Sequence, residues 1–99
     1  MAYTIEFAES VKMHLKALTA QQRTLIMDAI VEQLRHEPLT PTRNRKRLRP
    51  NPLAPWELRI ENLRVFYDVT MDGTDIVQIL AIGVKRGNQL YIGGKPVNL

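Results

Sequence analysis

Four cations and one phenol are the side chains of this sequence best suited to chemistry: Arg59, Arg64, Lys85, Arg86 and Tyr91. A guanidinium can hold a phosphate through two parallel hydrogen bonds and keeps its charge at any working pH. Lysine and tyrosine can move protons when neighbouring cations displace their pKa values toward neutrality. Cleavage of RNA by its own 2′-hydroxyl asks for a base, for cations around the phosphorane, and for an acid at the leaving 5′-oxygen. A cationic sheet with one tyrosine meets that demand without a metal. The same pattern also describes arginines that merely solubilise an open sheet and a tyrosine that merely packs at its edge.

A second group of cations stands upstream. Arg43, Arg45, Lys46, Arg47 and Arg49 lie close together, and no acid occurs between Glu37 and Glu57. With a net charge of +4 and a pI near 9.8, this cluster suits a polyanion or an acidic protein partner, although basic loops are also ordinary solvated surface.

Other chemistries are excluded or unsupported. There is no cysteine, so disulfides and thiolate metal sites are ruled out. His14 and His36 are too far apart for metal-ligand spacing and are expected at the surface. Ser10 is the only serine, with no nucleophile elbow or phosphate-cradling glycine loop around it. An enzyme built from this sequence would need no metal, cofactor or nucleophile triad. No apolar run approaches the roughly 20 residues of a membrane span. The amino terminus lacks a secretory apolar core, so the cytoplasm is the expected compartment.

The elements that must position these residues are legible from period. From Trp56 to Ile60 and again from Leu63 to Val69, apolar residues alternate with Glu57, Arg59, Arg64, Phe66 and Asp68. Alternation of period two makes two hairpin-linked strands with one core face and one outward face carrying Arg59 and Arg64. Tyr3, Ile5 and Phe7 predict a first strand, and Val11, Leu15 and Leu18 a short amphipathic helix. Thr19 and Gln22 have capping-box spacing and open a second helix, stopped before Pro38. Residues 38–55 hold five of the six prolines and the basic cluster, which predicts a stiff, ordered basic flap. Asp72-Gly73 is a turn, and Ile76–Ile82 is the most buried strand. Leu90-Tyr91-Ile92 reads as a short edge strand or an irregular tail. Helices early and hairpins late give an α+β fold for a single domain, residues 1–99. It has an antiparallel-rich sheet of about four strands, a two-helix hairpin on one face, and an open cationic face.

The ordered set Tyr3–Phe7, Trp56–Ile60, Leu63–Val69 and Ile82-Gly83-Val84-Lys85 followed by Tyr91 resembles the RelE/ParE superfamily of toxins from type II toxin–antitoxin systems, closer to the RelE branch. The resemblance implies a ribosome-dependent mRNA endoribonuclease, neutralised by a cognate antitoxin in a toxin–antitoxin hetero-oligomer. It implies that Arg64 and Arg59 contact the scissile phosphate, that Lys85 meets the developing charge, and that Tyr91 stacks on or protonates the substrate. Arg43, Arg45, Lys46, Arg47, Arg49 and Arg86 would then bind RNA of the ribosome. Glu57 departs from the pattern, standing where the nucleases carry a second basic residue. It implies a carboxylate general base, a weakened nuclease retained for antitoxin binding, or the ParE branch, whose members inhibit DNA gyrase without cleaving anything.

Overall fold

The chain runs β1 (Thr4–Phe7), α1 (Val11–Lys16), α2 (Ala20–Leu34), β2 (Arg45–Arg47), β3 (Trp56–Ile60), β4 (Leu63–Val69), β5 (Ile76–Arg86), β6 (Gln89–Ile92) and β7 (Lys95–Val97). This computed structural model describes residues 2–70 and 72–98. The α+β class is as expected, but among the described residues the sheet has seven strands rather than about four. β2, inside the basic segment, and β7 are additional; Leu90-Tyr91-Ile92 does form a short strand, β6, which β7 flanks so that it is not the edge.

Strand order is β2-β3-β4-β5-β6-β7, and β1 also pairs with β5. β1 lies parallel to β5 over Ile76–Ile79, whereas β6 pairs antiparallel with Gly83–Arg86. Both occupy the same edge of β5, because β4 takes the other edge from Val77 to Val84. The strand expected to be most buried is therefore the central one.

Between β4 and β5 the register shifts. Phe66 faces Ala81 and Tyr67 faces Ile79, so Leu80 is an extra residue on β5. Such a bulge reverses the side-chain alternation that follows it. Val77 and Ile79 point to the helices before it, and Ile82 and Val84 after it. Lys85 is thereby delivered to the opposite face.

The helical side holds the main core. Val11, Leu18, Ile26, Ile30 and Leu34 pack on Trp56, Leu58, Val65, Tyr67 and the β5 residues. Each large side chain buried there contributes roughly 1.5–3 kcal/mol. The capping box forms as the spacing predicts. The Gln22 amide donates to Thr19 Oγ1 at 3.1 Å, and the Thr19 amide to Gln22 Oε1 at 2.9 Å. Arg23 donates from Nη1 to the carbonyls of Leu15 and Leu18, at 3.3 and 2.7 Å, and so closes the end of α1.

The other face is not fully open. Phe66, expected to point outward into solvent, is completely buried in a second small core with Ala54 and Ala81, flanked by Leu48, Leu53, Leu80, Leu90 and Ile92. The proline-rich segment folds over the sheet to make it. Asn51 fixes that segment: Oδ1 accepts from the amides of Leu53 and Ala54, and Nδ2 donates to the carbonyls of Arg49 and Ala54.

Tyr67 ties the segment after α2 to the sheet. Its ring stacks on Trp56 with centroids 6.1 Å apart, and its hydroxyl donates to the Pro38 carbonyl at 2.6 Å. Burial raises the phenol well above its ordinary range, with nearby Arg45 acting weakly the other way. Tyr67→Phe orphans that buried carbonyl, so urea unfolding should show a loss of about 1–3 kcal/mol. A loss within error of zero would mean the bond carries nothing.

Candidate functional site

Three neighbouring strands assemble a charged cleft on the face away from the helices. Glu57 comes from β3, Arg64 from β4 and Lys85 from β5; with Phe66, Asn88 and Leu90 they line a cavity of about 320 Å³. The strand register explains why. Arg59 is directly opposite Arg64 on the β3–β4 hairpin, and Glu57 is opposite Phe66. Two arginines facing each other across a ladder repel. The Glu57 carboxylate between them offsets that repulsion: Arg59 Nε donates to Oε1 at 2.8 Å, and Arg64 Nε lies 3.7 Å from the same oxygen.

Arg64 is more constrained than a free phosphate ligand would be. Its Nη1 donates to the carbonyls of Glu61 and Leu63, both at 2.8 Å. Glu61 itself has φ of 55° in the tight β3–β4 turn, a conformation uncommon for a non-glycine residue. The bond from Arg64 therefore holds a strained turn as well as placing the guanidinium. Burial lowers the Arg64 pKa from its ordinary value; Glu57 raises it and Arg59 lowers it further. Lys85 is half-buried and takes part in no ion pair among the described residues. It is the least committed cation of the cleft.

The basic segment divides into three uses. Lys46 pairs with Glu57 across the β2–β3 ladder and extends the cleft's face. Arg43 and Arg49 are exposed, and Arg47 lies over the Trp56 ring at 5.9 Å. Arg45 is a correction to the expected polyanion-binding set. It is buried, donating from Nη1 to the Gln33 carbonyl at 2.6 Å and lying 3.8 Å from Glu37. It supports the last turn of α2, where carbonyls lack helical partners, and is not available to an outside ligand.

Tyr91 and Arg86 are not brought to the cleft. Tyr91 pairs with Val84, and Arg86 with Gln89. Val84 belongs to the helix-side core, and paired residues share a face, so both side chains lie on the far side of the sheet from Lys85. There the Arg86 guanidinium stacks on the Tyr91 ring at 5.5 Å. A signal for this was present in the sequence. Gly87-Asn88 is a two-residue hairpin signature, and Gly87 has φ of 62°. Counting back from it puts Leu90, not Tyr91, beside Lys85.

His14, expected at the surface, has a structural role. β1 and β6 leave a gap between them on the edge of β5, and the Ile82 amide in that gap donates to His14 Nδ1 at 3.3 Å. Desolvation lowers its pKa. Among the described residues, no cluster of histidine and acidic side chains could hold a metal ion.

Residues 5–88 match the family model of the ParE toxin of the type II toxin–antitoxin system, parDE. Among solved structures, the chain is similar to one in the crystal structure of the toxin–antitoxin complex RelBE2 from Mycobacterium tuberculosis. They are 24% identical with a TM-score of 0.73, over 86% of this chain and 93% of that one. At that identity the likeness is one of fold. No curated protein sequence matches significantly.

The His14 bond predicts a pH dependence. A folded pKa below the ordinary 6.5 means that the unfolded chain binds the proton more readily. The contribution is therefore full above 6.5 and is lost as pH falls below it. The urea midpoint should drop between neutral pH and about pH 5, and His14→Gln should flatten that drop. An unchanged slope in the variant would contradict the assignment.

Proposed function

We propose that this chain, which belongs to the ParE toxin family of type II toxin–antitoxin systems, uses its cationic cleft to cleave mRNA on the ribosome, without a metal, and so stops translation; the cleft's geometry rather than the family match carries that reading. The observation that carries this reading is that a carboxylate, a guanidinium and an ammonium line one cavity, Glu57, Arg64 and Lys85, the last in no ion pair among the described residues. In the reaction, the Glu57 carboxylate takes the proton of the 2′-hydroxyl, whose oxygen attacks the adjacent phosphorus. Arg64 stabilises the phosphorane; with Nη1 bound to carbonyls and Nε leaning on Glu57, phosphate contact falls to Nη2. The bond to the 5′-oxygen breaks, and the Lys85 ammonium protonates the leaving oxygen. The products are a 2′,3′-cyclic phosphate and a 5′-hydroxyl. Lys85 thus takes the acid role that resemblance alone gives to Tyr91.

Lys46, with the exposed Arg43 and Arg49 of the same segment, would track the RNA backbone beside the cleft, whereas Arg47, on the Trp56 side of the sheet, would not. A cognate antitoxin is the expected protein partner, in a toxin–antitoxin hetero-oligomer, and the cytoplasm the expected compartment. A second reading, inhibition of DNA gyrase without catalysis, draws support from Glu57, whose charge offsets that of Arg59 and Arg64, and from the position of Tyr91 outside the cleft.

Translation in vitro with purified protein, followed by mapping of mRNA ends, separates the two. Arg64→Ala should lower cleavage on the order of 10²-fold or more. Tyr91→Phe should leave it within about threefold of the unaltered protein, because a group outside the cleft takes no part in transition-state stabilisation. Intact mRNA alongside loss of gyrase supercoiling would overturn the nuclease reading in favour of the second.

A further inference from the structure

A second recess lies on the other side of the sheet, between α1 and the β5–β6 edge. His14, Leu18, Val84, Arg86, Tyr91 and the Gly93-Gly94 turn line a cavity of about 130 Å³. Its polar side chains can each donate a hydrogen bond. Because His14 Nδ1 accepts from the Ile82 amide, a neutral ring carries its proton on Nε2. The ring's Cδ2 edge lies 3.5 Å from the space a Cβ on Gly93 would fill, so that side of the imidazole faces the recess. The Arg86 guanidinium is held over the Tyr91 ring at 5.5 Å and joins no ion pair among the described residues.

Among the described residues, no carboxylate lines this recess. The contrast with the cleft is direct, since there Glu57 already offsets two arginines. The remaining walls, Leu18 and Val84, are apolar.

We propose that this recess is a carboxylate-binding subsite that takes an aspartate or glutamate side chain of a protein partner, with Arg86, Tyr91 and the Nε2–H of His14 as donors. The side-chain carboxylate suits it better than a phosphate, because its methylenes cover Leu18 and Val84, which an inorganic anion would leave wet, and a charge-assisted bond to a single carboxylate fits a recess of this size. The subsite is independent of whether the cleft cleaves RNA.

The test is a titration of the whole isotope-labelled chain with N-acetyl-glutamate N-methylamide, followed by NMR at the Gly93 and Gly94 amides and the His14 ring. The glutamine analogue and inorganic phosphate are the comparison probes. The expected result is a saturable shift with a Kd on the order of millimolar for the glutamate probe alone. Arg86→Gln should weaken it at least about tenfold and Tyr91→Phe about threefold, for loss of a charge-assisted and a neutral donor respectively. Tyr91→Phe, the more conservative change, serves as the arbiter if Arg86→Gln disturbs the β5–β6 amides. Equal shifts from the glutamine analogue, tighter binding of phosphate, no saturable shift, or an affinity that neither substitution changes would each overturn the proposal.

Discussion

The shared edge of β5 is the constraint on which the rest of the molecule depends. β5 gives one edge wholly to β4 and divides the other between β1 and β6. The junction is marked by the extra residue Leu80 and closed by the bond that the Ile82 amide donates to His14. Removing the bulge would send Lys85 to the helical side. Filling the close approach would have a similar reach: a Cβ on Gly83 would meet the Tyr91 carbonyl at 2.7 Å, pushing away the strand that brings Leu90 to the cleft. Backbone register thus determines which cations share a face, before any side-chain interaction is considered.

Electrostatics then distinguishes the two faces. In the cleft, cations from neighbouring strands are brought together around a buried carboxylate. One glutamate makes the crowding of Arg59 and Arg64 tolerable and supplies, among the described residues, the only acid on the cavity's lining. On the helical side, Arg86 stacks on an aromatic face and joins no ion pair among the described residues. A carboxylate that offsets positive charge weakens simple attraction for a polyanion, yet it is also what base-assisted cleavage requires. The same residue is therefore at once an electrostatic cost to RNA binding and the candidate for moving its proton.

Much of this was legible in the amino-acid sequence. The alternation of Trp56–Val69, the capping box at Thr19 and the helical stripes follow from period and local hydrogen bonding. Three features were hidden for physical reasons. The run Ile76–Ile82 is apolar on both faces, so the bulge leaves no trace in its pattern. Arg45 has the composition of a surface cation, and only the fold puts the last turn of α2 above it. Phe66 alternates with charged residues as an exposed side chain would, but a proline-rich segment returns to cover it. The position of Tyr91 was readable from Gly87-Asn88, provided the hairpin register took precedence over the resemblance.

The central claim is that Glu57, Arg64 and Lys85 act together on RNA. The most direct test is the chemistry of mRNA ends after in vitro translation with the unaltered protein and with Glu57→Gln. The account predicts new fragments ending in 2′,3′-cyclic phosphate and 5′-hydroxyl, reduced at least about 10²-fold by the substitution. Fragments that persist undiminished in Glu57→Gln, or an absence of fragments while the unaltered protein still arrests growth, would contradict it.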